Sequence, residues 1–261
     1  MAKQGRKKVV VITEADGEAG AACARSLAEE GALLVLGARD RERLEELAGE
    51  LRWDGASVSA LPTDGADYVQ VANLLAHAVR EHGRVDVVIN SPRATAIGDG
   101  AGIDWARVAD EQIQSYLHAV VAANAQMARQ GAGHIVNLAP LFVPRLDGPH
   151  GVAHGTVFRS LARALAEITD GLQKGSDGYP LRATLVSTEA PLLSAPDDPA
   201  EVERSLAQSL ARAVRFAVGQ SADSHVERLC IRHTAVVNAM AGSRTPDRRV
   251  PASSSRWEAR C

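Results

Sequence analysis

The amino-acid sequence predicts an α/β protein, a doubly wound parallel sheet of seven strands with helices on both faces. Two observations predict this fold. Short apolar runs alternate with amphipathic stretches at helical spacing, which is typical of parallel strands joined by crossover helices. The runs are apolar at consecutive positions, as in strands that are buried on both faces. No repeat or linker divides the strands, so residues 1–240 are expected to form one domain and 241–261 an Arg-, Ser- and Pro-rich tail.

Each strand is predicted from one apolar run, beginning with VVVIT after the basic N-terminus. Because helices occupy the stretches between these runs, the strands pair in parallel. The strands are expected at Lys8–Thr13, Leu33–Ala38, Ser57–Pro62, Val85–Asn90, His134–Ala139, Leu181–Ser187 and Val226–Arg232.

Each helix is predicted from apolar residues three or four positions apart between two runs. The second is the clearest, because RERLEELAGEL places Leu44, Leu47 and Leu51 on one face and acids on the other. The helices are expected at Gly17–Glu30, Arg41–Arg52, Tyr68–Glu81, Asp104–Gln130, about Gly151–Thr169 and Pro199–Val218.

Composition argues against several kinds of partner. The formal net charge of −3 gives no reason to expect a nucleic acid or an anionic membrane, and 3% aromatic residues are too few for base-stacking platforms. Three scattered cysteines suggest reduced thiols in a cytoplasmic protein, not disulfides or a zinc site. The basic N-terminus leads into only about five apolar residues, too few for a signal peptide or a membrane span.

The order of these segments is similar to that of a known family. Its first helix, second strand and second helix look like AACARSLAEEGALLVLGARDRERLEEL, and the end of its third strand looks like LPTDGAD. Its fourth, fifth and sixth strands resemble HGRVDVVIN, GAGHIVNLAP and LRATLVST. The chain therefore resembles the short-chain dehydrogenase/reductase family across about residues 7 to 235, which implies a Rossmann-like fold.

The turn after the first strand departs from the family pattern T-G-x-x-x-G-x-G. Aligned from Thr13 to Gly20, two of its three glycines are Glu14 and Glu18. Glycine lets the backbone approach a pyrophosphate at the helix N-terminus. One like-charged pair about 5 Å apart costs about 3 kcal/mol at an effective dielectric of about 20, and Asp16 adds a third acid. These acids predict that no NAD(P) cofactor is bound, with a first-turn acid such as Glu18 satisfying the free N–H groups of the helix.

The resemblance also marks other positions around the nucleotide. Arg39 lies where a contact to a 2′-phosphate is expected, and Asp64 aligns with an aspartate near the adenine. The family's NNAG-like segment has become Asn90-Ser91-Pro92-Arg93. The degenerate cofactor site comprises Glu14, Asp16, Glu18, Gly20, Arg39, Asp64 and Asn90, and no cofactor is expected.

The family's catalytic residues are missing from the alignment as well. The family uses a serine after strand five, a Tyr-x-x-x-Lys pair on the next helix, and an asparagine on the long helix before. The serine position is Pro140 and the asparagine position is Gln112, while no Tyr-x-x-x-Lys occurs anywhere in the chain. The Tyr and Lys positions are Gly151 and Gly155, or His150 and His154 if the register shifts by one.

Two functions follow from these absences. The preferred one is a redox-incompetent, non-catalytic subunit that assembles with a complete reductase, or with itself, through helices 104–130 and 151–169, the elements by which family members usually dimerise. The alternative is a cofactor-independent lyase, dehydratase, isomerase or cyclase acting on a small molecule. A nucleotide-binding sensor or a residual reductase is a further alternative.

In the cofactor-independent alternative, acid–base chemistry falls to residues at the carboxyl ends of the strands. The i, i+4 spacing of His150 and His154 places both rings on one helix face, and either one is the expected general base. Glu189 or Asp16 is the expected acid, Arg93 anchors an anionic oxygen, and no metal is expected. The candidate catalytic residues are His150, His154, Glu189, Arg93 and Gln112.

Four other polar or sulfur-bearing residues are given structural roles. Tyr116 and His118 are expected to pack in a subunit interface, because they lie on the long helix that dimerises in the family. Cys230 is expected in the core of the last strand, and His134 on the surface before the fifth.

Overall fold

The computed structural model of the chain describes residues 6–91, 104–139, 151–175, 178–189, 199–221 and 223–232. Within these ranges the strands form one parallel sheet of seven, which confirms the predicted fold class. The strands are β1 (Val9–Thr13), β2 (Leu33–Ala38), β3 (Ser57–Pro62), β4 (Val87–Asn90), β5 (Gly133–Leu138), β6 (Leu181–Glu189) and β7 (Arg228–Arg232).

Six helices lie between these strands in the described part of the chain, close to their predicted bounds. The fifth runs on to Lys174, beyond its predicted end at Thr169. The helices are α1 (Glu18–Glu29), α2 (Arg41–Trp53), α3 (Tyr68–His82), α4 (Trp105–Gln130), α5 (Gly151–Lys174) and α6 (Pro199–Gly219).

The sheet is wound outward from β1 in both directions, in the order β3-β2-β1-β4-β5-β6-β7. Val11 of β1 pairs with Val35 of β2 on one side and with Val88 of β4 on the other. All five residues of β1 are buried, because this strand is flanked by β2 and β4 and covered on both faces. The reversal of strand order therefore lies between β1 and β4.

Two apolar layers cover the two faces of the sheet. Val10 and Ile12 belong to a cluster with α1, α2 and α6, whereas Val9 and Val11 belong to a cluster with α3 and α4. Successive side chains of a strand point to opposite faces, so the uninterrupted VVVI run supplies both layers. Each such side chain contributes about 1.5–3 kcal/mol by leaving water.

Side chains and glycines fix where the helices begin and end. Asp40 caps α2 by accepting the N–H of Glu42 at 3.1 Å, and Asp67 caps α3 in the same way. Gly83 ends α3 in the left-handed region at φ 78°, where glycine is favoured. These signals are local in sequence, which explains why the predicted helix boundaries fall close to the observed ones.

His134 is buried, so its predicted surface position is wrong. It lies in β5 between β4 and β6 and is 1% exposed. The hydroxyl of Thr184 donates to the carbonyl of Val226 at 2.6 Å, so Nε2 of His134 must donate to Thr184 Oγ1, 2.8 Å away. Nδ1 has no hydrogen-bond partner among the described residues. Burial, assisted by the charge of Arg182, lowers the pKa of His134 to about 3.

Cys230 is also misplaced by the prediction. It is exposed on β7, which forms one edge of the sheet, whereas Cys23 is buried on the inner face of α1. The predicted tail, residues 241–261, lies outside the described ranges.

Among the residues that the structure describes, no helix is long and apolar enough to cross a bilayer.

The buried histidine makes stability depend on pH. Above about pH 6.5 the imidazole is neutral in both the folded and the unfolded chain, so it contributes no pH dependence. Below that value the unfolded chain binds a proton that folded His134 excludes until about pH 3. Because of this difference at His134, the free energy of unfolding is expected to fall by up to about 1.4 kcal/mol for each unit by which the pH is lowered below about 6.5.

Urea unfolding of the wild type and of His134→Gln between about pH 4.5 and 8 measures how much of the pH dependence of stability comes from His134. The stability of the wild type relative to the variant is expected to fall as the pH drops below about 6.5. The difference is expected to stay constant at higher pH, which serves as the internal control. A constant difference across the whole range would contradict the assignment.

Candidate functional site

The strand order predicts a crevice at the carboxyl edge of the sheet, next to β1. β1 pairs with β2 on one side and with β4 on the other, so crossover helices leave this point on opposite faces. In open parallel sheets, ligands bind outside the carboxyl ends of the strands at such a switch point. The turn between β1 and α1 lies there.

The backbone of this turn is left-handed at Glu14, where φ is 48°. Among the described residues, Glu14 is the sole non-glycine residue with a positive φ. Its carbonyl accepts the N–H of Gly17 at 3.2 Å, and the next residue, Ala15, donates to the carbonyl of Gly37 at 3.0 Å. This conformation costs a residue with a Cβ about 1 kcal/mol. Position 14 thus keeps the backbone that glycine adopts, although glycine is absent.

The first turn of α1 lies so close to this turn that glycine is required at position 20. A Cβ on Gly20 would lie 2.7 Å from the carbonyl oxygen of Glu14 and 2.8 Å from the Cα of Ala15. Both are backbone atoms, so neither can rotate aside. The N-cap residue Gly17 supplies no capping side chain, and Glu18 is exposed. The expected capping by a first-turn acid is therefore not what the helix start shows.

The side chain of Glu14 points into the protein. It is 2% exposed, and the hydroxyl of Ser115 on α4 donates to its Oε1 at 3.3 Å. Gly65, in the loop after β3, leaves room for this contact, because a Cβ there would collide with both of these side chains and force them to move. The carboxylate therefore lies between α4 and the β3–α3 loop.

A group of charged residues surrounds Arg39, which follows β2. Its Nη2 lies 2.9 Å from Oδ1 of Asp64 and 3.8 Å from Oε2 of Glu111 on α4. Glu111 is paired in turn with Arg107 at 2.7 Å. Partial burial acts to lower the pKa of Arg39, but the hydrogen bond to Asp64 and the nearby carboxylates, Glu14 among them, outweigh it and raise the pKa. One nitrogen of this half-exposed guanidinium, Nη2, is thus paired with acids of the protein.

Buried amides and hydroxyls connect the carboxyl ends of the central strands. The amide nitrogen of Asn90 on β4 donates to Oδ1 of Asn137 on β5 and to the carbonyl of Tyr116, each at 3.1 Å. The amide of Asn137 donates to the hydroxyl of Thr169 on α5 at 2.9 Å. Both asparagines and Thr169 have no exposed surface. Asn90, predicted as part of the degenerate cofactor site, therefore joins β4 to β5 and α4.

Tyr116 belongs to the core of this chain, so its predicted place in a subunit interface is wrong. It is 1% exposed, and its hydroxyl donates to the carbonyl of Leu138 at the end of β5. Burial first, and the charge of Glu14 second, raise the pKa of Tyr116 well above the ordinary value. Such a phenol holds its proton too firmly for proton transfer. His118 is half-buried, and its Nδ1 donates to the carbonyl of Gly65 at 3.1 Å.

The structure describes only part of the predicted catalytic set. Gln112 is 2% exposed on α4, and Asp16 is half-buried after β1. Arg93 and His150 lie outside the described residues. His154 falls in α5 and Glu189 ends β6, but their side chains are not described. The acid–base roles given to these residues stay predictions.

Sequence reasoning missed Ser115, Gly65 and the pair Asn137 and Thr169. For Asn137 a signal was present, because an amide inside the buried run HIVNLA needs a partner. For Ser115 and Gly65 there was none. Their importance depends on the side chain of Glu14 lying between them, and that is a tertiary contact.

Comparison with known proteins decides the family. A family model described as short chain dehydrogenase matches residues 8–155. The chain belongs to the short-chain dehydrogenase family. An uncharacterized oxidoreductase of Staphylococcus aureus is 30% identical to this family member over 230 residues, which is 86% of this chain and 96% of the relative.

Two solved structures are similar to this chain over most of its length. An NAD+-bound xylitol dehydrogenase has a TM-score of 0.66 at 24% identity and covers 88% of this chain and 99% of its own. A metagenomic short-chain oxidoreductase in complex with NADP has a TM-score of 0.64 at 22% identity, covering 86% and 96%. At these identities the likeness shows the fold alone, and it confirms the Rossmann-like fold.

These comparisons contradict the predicted function. A family model described as short chain dehydrogenase matches more than half of the chain, and a relative matched along almost its whole length is named an oxidoreductase. The prediction of a redox-incompetent partner subunit, with a cofactor-independent enzyme as its alternative, is therefore wrong. The physical error was to assume that an acid in a glycine position blocks the turn. Instead, Glu14 adopts the left-handed backbone and its carboxylate bonds to Ser115.

Replacing Asn137 by leucine is expected to lower the free energy of unfolding by about 3 kcal/mol. The buried amide of Asn90 loses one of its two acceptors, and the hydroxyl of Thr169 loses a donor. Urea unfolding measures the change, with Asn73→Leu on the exposed side of α3 as the matched control, expected to stay within about 0.5 kcal/mol of the wild type. A loss no larger than the control's would contradict the role of this amide.

Proposed function

We propose that the chain is an active oxidoreductase that binds a nicotinamide dinucleotide in the crevice after β1. One observation carries the proposal: the start of α1 approaches the β1 turn so closely that a Cβ at Gly20 would collide with backbone, while position 14 keeps a left-handed conformation. This geometry lets a pyrophosphate approach a helix N-terminus. The name of the 30% identical staphylococcal relative, an oxidoreductase, supports the same class.

The residues around the crevice fit such a coenzyme. The N–H groups of the first turn of α1 would hold the pyrophosphate, since the N-cap Gly17 adds no side chain there. Asp64 and Arg39, after β3 and β2, would lie beside the adenosine. The bound coenzyme supplies or accepts a hydride, and the chain's own residues position it and move the proton.

The proton is proposed to come from a histidine. The sequence contains no Tyr-x-x-x-Lys, and the hydroxyl of Tyr116 is held by a backbone carbonyl. His154 falls in the first turns of α5, and His150 comes directly before that helix in the sequence, in the segment where the family places its proton donor. An imidazole changes charge near neutral pH, so it can protonate a substrate oxygen and be reprotonated from water. The chain is thus proposed to be an active member with divergent motifs.

Titration calorimetry of the wild-type chain with NADH and NADPH is expected to show micromolar or tighter binding of at least one of them. Gly20→Ala is expected to weaken that binding at least about tenfold, because the added Cβ displaces the turn backbone. The matched control is Gly49→Ala on α2, where an added Cβ meets nothing within 4 Å. It is expected to bind like the wild type.

Turnover tests the proton donor separately. The double variant His150→Gln, His154→Gln is expected to keep coenzyme binding and to lose oxidation of the reduced coenzyme by carbonyl substrates. Circular dichroism verifies that each variant is folded. A folded wild type that binds neither coenzyme would contradict the proposed function, and full turnover by the double variant would contradict the histidine role.

We further propose that two copies pair through helices 104–130 and 151–169. Ile113, Leu117 and Val121 lie four residues apart on α4 and are 37%, 40% and 52% exposed. Side chains at this spacing share one helix face, so they form an aliphatic stripe on the surface. A second copy related by a two-fold axis offers the same stripe and covers it.

Sedimentation velocity is expected to show a dimer or a larger oligomer for the wild type. Leu117→Glu is expected to produce monomers, because it places a charge in the middle of the stripe. The control is Val69→Glu on α3, a 64% exposed position outside the stripe, which is expected to keep the wild-type mass. A monomeric wild type would contradict the pairing.

A further inference from the structure

We propose that the amino edge of the sheet has a second ligand site, which binds a phosphate monoester between the ends of α1 and α6. A cavity of about 420 Å³ lies there, within the range of about 300–1,000 Å³ that is typical of small-molecule sites. The coenzyme crevice lies at the opposite edge of the sheet, so this site goes beyond the proposed function and does not depend on it.

The walls of the cavity combine apolar and charged residues. Val10, Leu27 and Val218 belong to the buried core beneath it. Small-molecule sites are mostly apolar, with a few polar groups that fix the ligand. The charged residues that line the cavity are Arg6, Lys7, Lys8, Arg215, Glu29 and Glu30, four cations against two acids.

The two acids are paired with one of the cations. Nη1 of Arg215 lies 3.4 Å from Oε2 of Glu29 and 3.6 Å from Oε1 of Glu30. The other three cations are successive residues directly before β1. The last carbonyls of α1 and α6 add a partial negative charge, about half an elementary charge for each helix. Three cations exceed these partial charges, so the cavity keeps a net positive charge.

Lys8 is held in place at this cavity. The next residue, Val9, donates its N–H to Oδ2 of Asp86 at 2.7 Å. Lys8 lies two residues before Val10, so its side chain points to the same face of the sheet, toward α1 and α6. Its ammonium donates to the carbonyl of Val218, near the end of α6.

The charge of Lys8 lacks a carboxylate of its own among the described residues. Asp86, the acid that acts on it, bonds instead to a backbone N–H of β1 and, at 2.8 Å, to Nε of Arg84. Burial first, and the charge of Arg182 second, lower the pKa of Lys8 against the opposing effect of Asp86. An ammonium has three donors, and the carbonyl at the end of α6 takes one. A bound anion would therefore accept from this half-buried ammonium and stabilise its charge.

The number of cations favours a phosphate over a carboxylate. A phosphate monoester carries about 1.5–2 negative charges at neutral pH and has three acceptor oxygens, so it can contact several cations at once. A carboxylate carries one charge. The apolar walls contact the organic group of the ester, which inorganic phosphate lacks. The expected ligand is thus a phosphate monoester with a small apolar body.

Titration calorimetry of the full chain with phenyl phosphate tests this site. The wild type is expected to bind it with a dissociation constant below about 1 mM, and at least about fivefold more tightly than inorganic phosphate. Lys8→Met removes the charge at similar side-chain length and is expected to weaken binding at least about tenfold. The matched control is Lys174→Met at the exposed end of α5, which is expected to bind like the wild type.

A second variant keeps the test decisive if Lys8→Met is misfolded by circular dichroism. Lys7→Met changes an exposed side chain and leaves the bond of Lys8 to α6 in place. It is expected to weaken binding at least about threefold. Binding by both variants at the strength of Lys174→Met would overturn the site, as would a wild type that does not bind phenyl phosphate saturably.

Gly20→Ala separates this site from the coenzyme crevice. Gly20 lies in the first turns of α1, at the opposite end of the helix from the cavity, so this variant is expected to bind phenyl phosphate like the wild type. Loss of binding in Gly20→Ala would place the phosphate in the crevice and overturn the second site. If the folded chain binds phenyl phosphate in this way but neither coenzyme, the proposed function fails and this site stands.

Discussion

The close contact between α1 and the turn after β1 constrains the whole carboxyl edge of the sheet. With the helix start this near, position 20 has no room for a Cβ, which would lie 2.7 Å from the carbonyl of Glu14. The chain must also reverse direction within a few residues, so position 14 takes a left-handed backbone. A side chain at that position needs space in the interior. Ser115 and the bare Cα of Gly65 provide it.

The strands that border the crevice are held at their ends by polar contacts. Asn90, Asn137 and Thr169 form a buried series of hydrogen bonds from β4 through β5 to α5. In a low-dielectric interior such bonds are strong when complete, and an unpaired member is costly. They therefore fix the relative positions of the strand ends. The hydroxyl of Tyr116, bonded to the carbonyl of Leu138, joins α4 to the same edge.

The architecture was predictable because it depends on local signals. Apolar runs, helical spacing and caps such as Asp40 can be read directly from the chain, and α5 alone extended well past its predicted end. Burial was less predictable, since it depends on strand order. His134 lies between β4 and β6 and is buried, whereas Cys230 lies on the edge strand β7 and is exposed. Neither position has a sequence signal that distinguishes a central strand from an edge.

The function was mispredicted for a related reason. Missing glycines and a missing Tyr-x-x-x-Lys predict a chain without redox chemistry, yet the direction of the Glu14 side chain depends on α4 and on the loop after β3. Sequence alignment gives the identity of a residue in a motif, but the side-chain contacts decide whether it obstructs a ligand.

The most direct measurement is a crystal structure of the chain grown with saturating NAD+. The pyrophosphate is expected at the first turn of α1, with the Glu14 carboxylate still bonded to Ser115. A crevice without coenzyme under those conditions, or a Glu14 carboxylate turned onto the first turn of α1, would contradict this expectation.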